Sequence, residues 1–174
     1  MNQEQILIEG VSNALVQEGV LSREDALALQ KAFSETEVER FEEFLLAEDV
    51  VEKQDLLNAL QHFYQLDAID VVGMLFDHDM LRKFPLDVMV RVGFIPYQQD
   101  GDVLEVIAAR PQDSELLDII GSYVSYDIVF SVGLYRDICD AAKEFYDESV
   151  AVVHEDDIEE AAEEEAQEVV QEEE

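Results

Sequence analysis

Shifted by thirty residues, the chain matches itself: LVQEGVLSREDALALQKAF, Leu15 to Phe33, aligns with LLAEDVVEKQDLLNALQHF, Leu45 to Phe63. Six of the nineteen pairs are identical: Leu15/Leu45, Glu18/Glu48, Val20/Val50, Asp25/Asp55, Leu27/Leu57 and Phe33/Phe63. The apolar positions also agree in helical phase, the mark of a structural repeat rather than of shared composition. Each copy reads as a helix end, a turn at Gly19 or Asp49, and a second helix opened by Ser22 or Glu52. Residues 1–66 are therefore expected to form a pair of helical hairpins, with Leu15, Leu27, Leu45, Leu57 and Leu60 as their core.

After Leu66 the periodicity changes. LDAIDVVGMLF is predicted to be irregular, DHDMLRKF to make a short helix, and Pro85 to restart a helix that runs to Val92. FIPYQ and VLEVIAA read as strands joined by a turn at Asp100 and Gly101, and Pro111 stops the second. SELLDIIG is predicted to be a helix capped by Ser114 and ended by a left-handed Gly121, and YDIVFSV a third strand. LYRDICDAAKEFY closes the unit as a helix, with Ile138, Ala142 and Phe145 on its buried face. The expected fold class is α+β: two helical hairpins, then a small mixed sheet covered by helices over residues 67–148, then an acidic disordered tail over 149–174.

Charge limits the partners. The net charge is −33, and 12 of the 43 acids but none of the 10 bases lie in residues 155–174, which leaves −21 on residues 1–154. Such a field repels phosphate backbones and anionic lipid headgroups, so nucleic acid and peripheral membrane binding are not expected, and basic or mixed protein surfaces are; no uncharged run approaches the ~18–20 apolar residues that direct membrane insertion would need. The tail reads first as a solubilising tail, with an electrostatic arm for a basic partner or a loose divalent-cation sink as alternatives. A lone cysteine, Cys139, and no secretory signal point to a cytoplasmic protein.

Reactive constellations are weak. Asp77, His78 and Asp79 are adjacent and diverge on a helix, so Asp77 is expected to cap rather than to ligate a metal. Cys139 reads as a small apolar core residue, and the pairs Glu42-Glu43 and Asp156-Asp157 as solvated faces. No catalytic residue, metal or cofactor is expected. Arg82, Lys83, Arg91 and Arg110 place four bases in one third of an acidic chain, either as a basic island for a partner or as local neutralisation of neighbouring acids.

The repeated hairpins, FPLDVMVRVGFIPY and VLEVIAARPQDSELLDII together resemble the N-terminal domain of type II secretion and type IV pilus assembly ATPases, the GspE N-terminal or MshE-like family. The likeness spans residues 10–147. It implies a non-enzymatic accessory module that docks on a secretion or pilus ATPase or its inner-membrane platform protein, or that senses cyclic di-GMP. Nothing in the chain reads GxxxxGK[ST], so the resemblance is to the accessory domain without its motor. Dinucleotide-binding members carry in each hairpin an opening Arg-Leu-Gly, a later Leu-Val, a turn Gly and a closing Gln. Of these the first copy keeps Leu15, Val16 and Gly19, with Gly10, Val11 and Ser12 at its opening. The second copy keeps Arg40 and the apolar Leu45 and Leu46, but has Phe41, Glu42 and Asp49 in place of Leu, Gly and Gly. Phe33 and Phe63 stand at the two closing positions, and the resemblance so read implies that cyclic di-GMP binding is lost.

Overall fold

The computed structural model describes residues 2–146; the tail expected over 149–174 lies outside the described residues. Four helices come first: α1 (Gln3–Gln17), α2 (Arg23–Ser34), α3 (Phe41–Ala47) and α4 (Lys53–Tyr64). The Asn2 side chain accepts from the Gln5 N–H at 2.8 Å and Ser22 from the Asp25 N–H at 3.0 Å, which satisfies donors that the first turns of α1 and α2 leave free. Glu52 does precede α4, but its side chain makes no capping bond. Both hairpin turns pass through left-handed backbone, at φ 76° for Gly19 and 56° for Asp49. Aspartate tolerates that region better than most side chains do, which is how the second copy keeps the turn without glycine.

The α+β unit follows: α5 (His78–Leu81), α6 (Leu86–Val92), β1 (Phe94–Asp100), β2 (Val103–Ala108), α7 (Leu116–Gly121), β3 (Asp127–Val132) and α8 over residues 135–146. The sheet order is β1-β2-β3; β1 and β2 pair antiparallel, whereas β2 and β3 pair parallel through the α7 crossover. The sheet is mixed, as expected. Gly93 joins α6 to β1 at φ 85°, and a Cβ there would stand 2.7 Å from Cδ2 of Tyr135, so backbone angle and ring contact both require glycine.

Two of the expected terminators are different. Gly121 is a right-handed residue inside α7, and the helix ends instead by tightening, with the Ser122 and Tyr123 N–H groups bonding the Ile119 and Ile120 carbonyls. The start of α7 is not capped by Ser114; the Asp113 carboxylate accepts from the Glu115 N–H at 3.0 Å.

Two apolar clusters form. One joins the hairpins around Leu15, Phe41, Leu45, Leu56 and Leu60, and draws in Val132 and Leu134 from the end of β3. The other fills the space between sheet and helices around Phe84, Met89, Phe94, Ile95 and Ile107, with Ile138 and Ala142 of α8 fully buried and Phe145 partly so. Each such large side chain contributes roughly 1.5–3 kcal/mol by leaving water. Leu27 is a correction to the expected core: it is 61% exposed, although its repeat partner Leu57 is buried. The reason is position. α4 packs between α1 and the end of β3, whereas α2 buries only Ala26 and covers α1 and α3 from outside.

Candidate functional site

The residues singled out from the repeat are split by the fold. Leu15 and Leu45 are fully buried core, Val16 and Leu46 are half-buried, and Gly19 serves its turn. Arg40 precedes α3 and lays its guanidinium 3.7 Å from the centroid of the Tyr135 ring at the start of α8. At the closing positions, Phe33 packs edge-on against Phe41 at 5.3 Å and tilted against Phe44 at 5.5 Å. Phe63 packs against Tyr64 at 4.8 Å and lies directly on the Gly10 backbone, leaving no room for a side chain there.

Sequence reasoning missed the strongest polar feature. Glu42, expected on a solvated face, is 6% exposed and ion-paired to Arg110, which also reaches Oε2 of Glu4 at 3.4 Å. Arg110 follows β2, so this pair ties the α+β unit to the first helix of each hairpin. Burial pulls the guanidinium toward the neutral form, but the Glu42 carboxylate outweighs it and the net shift is upward. Tyr64 stands beside the pair; desolvation pushes its phenol up to about 12, only partly opposed by Arg110. The signal in the sequence was Glu42 itself, a carboxylate on the apolar stripe of α3 between Phe41 and Leu45.

A second clamp lies nearby. Nζ of Lys53, at the start of α4, is 2.9 Å from Asp137 of α8 and 3.7 Å from Asp70, and the hydrogen bond to Asp137 raises its pKa. Between the two clamps a cleft of about 190 Å³ is lined by Leu46, Ala47, Ala109 and Leu134, with Glu43 and Arg136 among its polar walls. Of its charged walls, Glu42 and Arg110 are paired with each other and Asp137 with Lys53.

The four candidate bases fall at three elements: Arg110 after β2, Arg82 and Lys83 after α5, and Arg91 in α6. Arg110 faces the hairpins, and Nζ of Lys83 donates to the Tyr126 hydroxyl at 2.9 Å and lies over that ring. Arg91 is exposed on α6, and Arg82 follows α5. Asp77 caps α5 by accepting from the Asp79 N–H at 2.9 Å, and Nδ1 of His78 meets the Phe145 carbonyl at 3.0 Å. Cys139 is buried beside the Val90 carbonyl, and burial raises its thiol pKa. Asp156 and Asp157 lie outside the described residues. Among the described residues there is no cluster of three metal-ligating side chains, and no helix is long and apolar enough to cross a membrane.

Comparison with known proteins agrees with this architecture. No curated protein matches the chain. A solved structure of MshE with cdg superposes with a TM-score of 0.64 at 21% identity, covering 78% of this chain and 98% of that one. The N-terminal domain of XpsE superposes with a TM-score of 0.56 at 17% identity, covering 84% and 98%. The sequence profile of the MshEN domain matches residues 64–152, half of the chain. The chain therefore belongs to the MshEN domain family, the N-terminal domains of type II secretion and type IV pilus assembly ATPases.

Proposed function

We propose that this protein is a non-enzymatic, cytoplasmic docking module, which recognises another protein of a secretion or pilus machine through shape and surface charge. The observation that carries the reading is Glu42. Dinucleotide-binding members, as the resemblance describes them, have glycine there so that backbone approaches a phosphate. Here a buried carboxylate occupies the position and is held by Arg110, so a phosphate would meet bulk where backbone should approach it, and the neighbouring cation is already engaged. The rings of Phe33 and Phe63 at the closing positions, packed among neighbouring rings, support the same reading. The net charge of −33 favours a partner with basic or mixed surfaces.

The rival reading, a receptor for cyclic di-GMP in the hairpins, has in its favour that MshE was solved with cdg. Isothermal titration of the full chain with cyclic di-GMP separates the two. Docking without a nucleotide predicts no saturable heat in the micromolar range, and a 1:1 isotherm at micromolar or tighter affinity overturns it. A paired titration with the purified cytoplasmic part of a secretion platform protein, or with a secretion ATPase lacking its own N-terminal domain, is expected to show saturable binding.

A further inference from the structure

The two edges of the sheet are not alike. β1 carries Pro96 and a register shift between Pro96 and Gln98, two devices that blunt an edge against further pairing. β3 carries neither. Its hydrogen bonds show which residues face outward: the Asp127 N–H bonds the Asp102 carbonyl and the Gly133 N–H the Ala108 carbonyl, so odd-numbered residues pair with β2. The Val132 N–H instead bonds the Asp67 carbonyl, and the Val132 carbonyl accepts from the Ile69 N–H on the outer side. By strand alternation, Ile128 and Phe130 present their N–H and C=O groups to that same outer side, where neither has a backbone partner among the described residues. Residues 127–130 are thus an open edge. Val129 is 51% exposed beside it, and Ile128 and Phe130 are only half-buried.

Open apolar edges invite self-pairing, and residues 127–130 themselves contain no lysine or proline to prevent it. The whole-chain charge opposes it instead, because two copies at −33 repel one another. Charge also selects what remains. Asp127 at one end of the edge and Asp67 at the other are both exposed, so the complementary strand is cationic. We propose that the outer edge of β3, over residues 127–130, accepts an extended basic segment of a partner protein as a fourth strand. Main-chain bonds to Ile128 and Phe130 supply register, and flanking lysines or arginines meet Asp127 and Asp67. The inference rests on the docking reading above and names where and how that docking occurs.

Amide hydrogen exchange on the full chain tests it. In the free protein the Ile128 and Phe130 amides are expected to exchange at least about tenfold faster than those of Val129 and Ser131. A short peptide alternating lysine and valine is the probe, and it should slow Ile128 and Phe130 selectively by about tenfold or more. The same peptide N-methylated at every residue, equal in charge but with no backbone donor on either edge, should leave them unchanged. Ile128→Pro removes an outward donor without breaking a β2 bond, so it should keep the cooperative melt and lose the protection at Phe130. The proposal is overturned if these amides are already slow in the free chain, which would mean that the chain's own residues or a second copy cover the edge. Equal protection by the N-methylated peptide, or none by either, also overturns it while leaving saturable binding of a secretion protein intact as a separate result.

Discussion

At the residue scale, Arg110 and Glu42 decide more than any other pair. Removing one partner leaves a buried charge without compensation, so Arg110→Met is expected to lower stability by about 3–5 kcal/mol, read by urea denaturation. Arg110→Met with Glu42→Leu should recover most of that loss, since an apolar pair of similar volume avoids the desolvation. Full additivity of the two single changes would show that the ion pair is not coupled. Tyr64 gives a pH test. Its phenol titrates near 12 when folded against 10 when free, so its contribution is complete below pH 10 and is lost as pH rises from 10 to 12. Tyr64→Phe should flatten the decline of unfolding free energy across that window, by an amount on the order of 3 kcal/mol. These residues were legible in the sequence only as types. An acid between Phe41 and Leu45 reads as exposed until Arg110, sixty-eight positions away, is folded against it.

Among the elements, the hairpin turns carry the clearest prediction. Gly19 has left-handed backbone, and a Cβ added there would meet nothing within 4 Å, so Gly19→Ala reports backbone strain alone and is expected to destabilise by about 1–2 kcal/mol. Asp49→Gly at the equivalent turn should be neutral or stabilise by up to about 1 kcal/mol, since strain relief there opposes the entropy glycine adds to the unfolded chain. Chemical denaturation of both variants checks the pair, and a stabilising Gly19→Ala would contradict the assigned turn. Helices and strands were readable here because their signals are local: a cap at Ser22, a proline at Pro85, a turn glycine at Gly101. Gly121 misled for the same reason. A glycine at a helix end usually marks a left-handed stop, but α7 ends by tightening its last turn, and nothing in the local sequence distinguishes the two.

On the scale of the whole molecule, repulsion and attraction compete. Raising salt from 0.1 M to 1 M shortens the screening length from about 10 Å to about 3 Å, which weakens the self-repulsion of an acidic surface more than it weakens partly buried pairs. Melting temperature should therefore rise with salt; a fall would show that Arg110–Glu42 and Lys53–Asp137 outweigh the surface field. By itself the sequence determined the repeat, the order of helices and strands, the α+β class and the acidic field, because periodicity, caps, turns and charge are properties of neighbouring residues. Only the tertiary structure decided that Leu27 faces solvent while Leu57 is buried, that Glu42 is neutralised inside, and that residues 127–130 of β3 lack an outer backbone partner among the described residues. Those outcomes depend on which surfaces meet across long stretches of chain, and no local pattern encodes that.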